Sequence, residues 1–128
     1  MPKQNKTKKR SYVSAAKAVI KLMRDNGIDR VEDTSNFAED SNGNEATIGF
    51  VGQSKNKKVC RVCLLGGLGL AVANGVITIT ESLTITSFLE NELKSRNDHN
   101  SRLDTVPDRG TMFDLYLTAS KKADEEYP

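Results

Sequence analysis

Residues 63–73 read CLLGGLGLAVA, and the interpretation of the whole chain starts from them. A segment apolar on every side has no face for solvent, so it must be enclosed by other elements. Small residues at positions 66, 67, 69, 71 and 73 suit close approach by a neighbouring backbone. The stretch is the expected centre of the core. It lies within a run of 19 uncharged positions between Arg61 and Glu81, close to the length of a membrane-spanning helix. Gly66, Gly67, Gly69, Asn74, Gly75 and the threonines make transfer into lipid weakly favourable at best, so a buried core is the expectation.

Around that core the chain has 128 residues, 37% hydrophobic and 28% charged, which allows one domain and excludes a doubly wound nucleotide-binding sheet or a (β/α)₈ barrel. The net charge of +2 excludes attraction to nucleic acid or anionic membrane by bulk charge alone. The charges are segregated, however. Residues 1–24 hold eight basic side chains and no acid, whereas residues 31–50 hold five acids and no base. Two cysteines are too few for a disulfide framework. Lys17, Lys21 and Arg24 interrupt any secretory apolar region, so a reducing, cytoplasmic setting is expected.

Outward from the core, residues 1–10 (MPKQNKTKKR) carry no large apolar side chain after Met1 and read as a flexible basic arm, with a single globular domain over 11–128. Tyr12, Ala16, Val19, Ile20 and Met23 share one face of a helix over 12–26, with Ser11 as N-cap and Gly27 just past its end. On the same helix Arg10, Lys17, Lys21 and Arg24 fall in a narrow arc, provided that the helix extends back before Ser11. Two readings of this stripe stand: a solvated face, or a patch for phosphates or an acidic protein partner. Residues 29–45 read as an acidic surface loop with Phe37 as its one large apolar anchor. Residues 46–51 and 58–64 read as a small hairpin turning at 52–57, although the second run equally suits the start of a buried helix.

After Asn74-Gly75, residues 76–80 suit a strand or an extended link, and Leu83, Ile85, Phe88, Leu89 and Leu93 mark a helix over 82–95, with strand-like alternation at 83–86 as the competing reading. Residues 96–104 form a polar loop holding the only histidine. Thr105, Pro107 and Asp108 resemble a helix start, and Met112, Leu115, Tyr116, Ala119 and Ala123 supply the apolar stripe of a helix over 106–124. Gly110 inside it costs about 1 kcal/mol against alanine. The fold class expected is α+β and mainly helical: about three amphipathic helices, a glycine-rich buried segment and a small hairpin.

Few residues suggest chemistry. Cys60-Arg61-Val62-Cys63 is a C-x-x-C, but a tetrahedral zinc needs four ligands, and His99 is the only further soft ligand. Two buried cysteines are the default, with a zinc shared between subunits as the alternative. Gly67-Leu68-Gly69 lacks the third glycine of a dinucleotide fingerprint. His99, among Asn97, Asp98 and Asn100, has the surroundings of a polar turn rather than of a catalytic base. Asp98, Asp104 and Asp108 match no calcium-loop spacing. No cofactor and no metal are expected.

Three segments carry a family resemblance: Tyr12–Ile20 (YVSAAKAVI), Cys63–Gly69 (CLLGGLG), and Asn97-Asp98 followed by Thr111–Ser120 (TMFDLYLTAS). In this order they resemble a family of small bacteriophage and bacterial proteins with no assigned reaction. Gly67 stands where that family usually has alanine, and Arg96 where an aromatic residue often precedes Asn-Asp. The resemblance implies phage origin and a mostly helical fold, and transfers no catalytic residue. The function expected is therefore non-catalytic: a phage-type accessory protein that binds a host or defence macromolecule, with Arg10, Lys17, Lys21 and Arg24 as the contact candidates. The alternatives are a nucleic-acid or virion-assembly role and small-molecule sequestration. No membrane partner is expected.

Overall fold

Helix α1 spans Tyr12–Asp25. Ser11 opens it with an extended backbone and a hydroxyl that accepts from the Ser14 amide at 3.0 Å. Asn26-Gly27-Ile28 closes it: the Gly27 amide donates to the Arg24 carbonyl at 3.2 Å and the Ile28 amide to the Met23 carbonyl at 2.9 Å. This arrangement needs Gly27 in the left-handed region, at φ +62°, and it brings Ile28 against Met23, both fully buried. These details belong to a computed structural model that describes residues 10–31, 36–49, 59–95 and 106–128.

The apolar stretch becomes helix α2, Leu64–Ala73, and it ends by the same device. Gly75 (φ +72°) donates to the Val72 carbonyl and Val76 to the Ala71 carbonyl, each at 3.0 Å. Asn-Gly followed by an apolar residue thus stops both helices. At the other end Cys63 is the N-cap, its Sγ accepting from the Gly66 amide at 3.2 Å.

Helix α3 runs Ile79–Ser95 and starts earlier than expected. The Glu81 amide donates to Thr78 Oγ1 at 3.0 Å, and Glu81 Oε1 accepts from the Thr78 amide at 2.8 Å. This reciprocal capping box turns residues expected as strand or link into a helix start. Helix α4 spans Arg109–Glu126, and Asp108 rather than Thr105 caps it, accepting from the Thr111 amide at 2.7 Å. Thr105 lies outside the described residues. Gly110 falls in the first turn, where helix propensity matters least.

Three two-residue strands form a sheet of order β1-β3-β2, with β1 at Asp29–Arg30, β2 at Ala38–Glu39 and β3 at Arg61–Val62. The β1–β3 pair is parallel (Asp29 opposite Arg61) and β2–β3 antiparallel (Ala38 opposite Val62). Two expectations need correction here. The acidic segment 29–45 is not simply a surface loop: it supplies β1 and β2, and Ala38, Glu39 and Asp40 are buried, whereas the Phe37 side chain is 54% exposed. What anchors Phe37 is its carbonyl, which accepts from the Cys63 amide at 3.0 Å. The second correction concerns the hairpin. The strand at 61–62 pairs with 29–30 and 38–39, and the Ala46 amide donates to the Ala38 carbonyl. The expected turn at 52–57 lies outside the described residues.

With 61% of the described residues in four helices, the fold is α+β and mainly helical. Helix α2 packs on α1, α3 and β3, and α4 packs on α1, α3 and β1. The glycines of α2 permit this closeness. A Cβ on Gly66 would collide with the Phe37 carbonyl, and one on Gly67 with the Tyr116 hydroxyl. Tyr116 is fully buried and donates to the Leu64 carbonyl at 2.7 Å. Burial first, and then the Cys63 thiol, push its ionisation well above the ordinary tyrosine range. Among the described residues no helix is long and apolar enough to cross a membrane.

Candidate functional site

Helices α1 and α4 lie antiparallel. Arg24, near the end of α1, meets Phe113 near the start of α4, and Tyr12 at the start of α1 meets Asp124 near the end of α4. Apolar residues of both helices fill the contact, leaving the flanking positions to line two grooves at its edges.

One groove, of about 520 Å³, is lined by Lys17, Ile20, Lys21, Arg24 and Asp25 from α1 and by Phe113 and Leu117 from α4. Lys17, Lys21 and Arg24 are exposed, as the i, i+4, i+7 spacing requires when Ala16, Val19, Ile20 and Met23 turn inward. Lys21 Nζ lies 2.6 Å from Asp25 Oδ2, an exposed pair one turn apart. The Arg24 guanidinium lies over the Phe113 ring at 5.2 Å from its centroid, and Arg109 approaches the same ring at 5.4 Å. Arg109 also donates to the Ile28 carbonyl at 3.0 Å, which fixes it beside the end of α1.

Arg10 takes a different position. The helix starts at Tyr12, so Arg10 does not extend the stripe. Its guanidinium turns to Glu81, donating to the two carboxylate oxygens at 2.9 and 2.8 Å and to the Val76 carbonyl at 2.5 Å. This bond raises Arg10 above its ordinary range and holds Glu81 below the usual carboxylate range, chiefly through hydrogen bonding and secondarily against the cost of burial. Arg10, Tyr12, Thr80, Asp124 and Tyr127 border the second groove, where the ends of α1, α3 and α4 converge. Asp124 there accepts from the Tyr12 and Val13 amides at 2.6 and 3.1 Å, satisfying the first turn of α1 from another helix.

The remaining chemical candidates have structural partners. Cys60 precedes β3 and Cys63 follows it, so three extended rises of about 3.3 Å separate their Cα atoms by about 10 Å, beyond disulfide reach. Cys63 is buried at the cap of α2, and Cys60 is half-buried with its backbone in the sheet, its amide donating to the Glu39 carbonyl. Gly67 and Gly69 lie inside α2 rather than in a turn ahead of it, unlike the glycines of a phosphate-binding turn. Asp108 caps α4, and the Thr111 amide holds its carboxyl below the usual range. His99, Asp98 and Asp104 lie outside the described residues. Among the described residues no three His, Cys, Asp or Glu side chains gather as metal ligands.

Arg109, Phe113 and Leu117 were not singled out in the sequence as part of this site. Phe113 and Leu117, four residues apart, widen the apolar stripe of α4 on one side; that spacing is the signal that marks them. In comparison with known proteins, the chain matches no family model, no curated protein and no solved structure.

Proposed function

We propose that this chain is a non-catalytic binding protein of the phage accessory type, which acts by occupying a host or defence macromolecule through the α1 face bearing Lys17, Lys21 and Arg24. One observation supports the reading: those cations border the half-buried Leu117 rather than standing on an all-polar surface. A purely solvated face needs no accessible apolar side chain beside its charges. A binding face combines the two, since charge steers the encounter and apolar contact holds the complex. Arg10 belongs to the second groove, where it ties the chain to Glu81.

The test is a pull-down of the tagged full chain from host or infected lysate, with and without nuclease, in parallel with the K17E/K21E/R24E variant. The expected result is one stoichiometric protein that survives nuclease and is lost with the triple reversal. Loss on nuclease would favour nucleic-acid association instead, and recovery of capsid components a virion role. Recovery that ignores the reversal would overturn the assignment of this face.

A further inference from the structure

We propose that the groove between α1 and α4 receives an acidic amphipathic helix of a partner protein, its carboxylates facing Lys17, Lys21 and Arg24 and its apolar side chains covering Leu117. The proposal rests on the binding reading above and names the chemistry of the partner.

Three features carry it. The first is spacing: from Lys17 to Lys21 to Arg24 the helix advances by about 6 Å and then about 4.5 Å, the intervals at which acids on successive turns of a second helix repeat. The second is availability. Among the described residues no hydrogen bond or ion pair holds the side chains of Lys17 or Arg24, and the Lys21–Asp25 pair is exposed, with Lys21 at 76% and Asp25 at 57%. Arg24 is nonetheless held over Phe113, so its N–H fork loses less freedom on meeting a carboxylate. The third is the apolar side chain beside the charges. Leu117 is half-buried, and Phe113 is only 7% exposed between two guanidinium groups.

The same features disfavour a nucleic acid. Phe113, covered by Arg24 and Arg109, offers no face on which a base could stack. A duplex presents about six charges over the length of these three cations, most of which would find no partner.

The experiment uses the full chain and a fluorescent synthetic helical peptide with glutamates at i, i+4 and i+7 and leucines on the adjoining strip. Controls are a scrambled peptide of the same composition and a DNA duplex. By anisotropy the patterned peptide should bind at least about tenfold tighter than the scramble, and K17E/K21E/R24E should lose that advantage. A peptide with lysines in place of the glutamates should bind the reversed variant, a rescue that no folding defect can imitate. Leu117→Gln should weaken the patterned peptide and leave the scramble unchanged. Equal binding of patterned and scrambled peptides would overturn the proposal. So would tighter binding of the duplex that falls steeply between about 50 and 200 mM salt. If the peptide fails while the pull-down still recovers a protein that needs Lys17, Lys21 and Arg24, the helical ligand is wrong and the binding face stands. If both fail, the face itself is wrong.

Discussion

The hydroxyl of Tyr116 occupies the space that a side chain at Gly67 would need. It reaches there from α4 to donate to the first carbonyl of α2, that of Leu64, at 2.7 Å. The two residues therefore form one packing unit, with the small residue on α2 admitting the large one from α4.

Gly67→Ala is expected to destabilise the fold by about 1–3 kcal/mol through overpacking. Tyr116→Phe removes the atom that the new methyl would strike. In a double-mutant cycle followed by urea denaturation, the pair should therefore be more stable than the sum of the single effects. Strict additivity would mean that Gly67 and Tyr116 do not compete for one space.

Raised ionisation of Tyr116 has a signature at high pH. A tyrosine whose folded value lies above its unfolded value adds stability below the unfolded value, near 10, and loses it as pH rises towards the folded value. Its phenolate absorbance should appear together with loss of helical circular dichroism. Ionisation of all three tyrosines in a protein that keeps its helices would contradict the burial.

Glu81 works at the other end of the pH scale. Its carboxyl is lowered from about 4.5, chiefly by the Arg10 hydrogen bond, so its contribution is complete above that value and fades as pH falls through the lower folded value. The stability difference between the wild type and Glu81→Gln should be clear at pH 7 and shrink towards pH 3. A difference that stays constant would show that the charge of Glu81 plays no part.

Asp124→Ala leaves two amides of α1 without their acceptor and should cost about 1–2 kcal/mol in urea denaturation. Asp124→Asn keeps one side-chain oxygen and should cost less. The K17E/K21E/R24E variant, altered only at exposed positions, should still fold, at a cost of up to about 1 kcal/mol each where it replaces the Lys21–Asp25 pair by a repulsion and removes Arg24 from the Phe113 ring.

Much of the helical framework was legible because its signals are local. Tyr12 to Met23 repeat with helical period, Ser11 and Gly27 bracket them, and the all-apolar run at 63–73, broken by glycines that disfavour lipid, points to enclosure. The start of α3 was harder to read. Ile77 and Ile79 alternate with Thr78 and Thr80 as in a strand, yet Thr78 and Glu81 already have capping-box spacing, and the cap prevails. Strands of two residues are too short to show any period, so the sheet at 29–30, 38–39 and 61–62 was hidden. Lys17, Lys21 and Arg24 could be placed on one face from helical geometry alone. Arg109, Phe113 and Leu117 join them through the packing of α4 against α1: the spacing of Phe113 and Leu117 widens the stripe of α4 but does not say which helix it meets.

The bond from Asp124 to the first turn of α1 also sets an order of events during protein synthesis. Helix α1 is made before α4, and the carboxylate that satisfies its Tyr12 amide lies 112 residues further along the chain. Until α4 has been made and has left the exit tunnel, α1 lacks both its acceptor and the apolar face of α4. The packing of α1 therefore closes only once α4 is available, and loss of Asp124 is felt at the first turn of a helix made long before it.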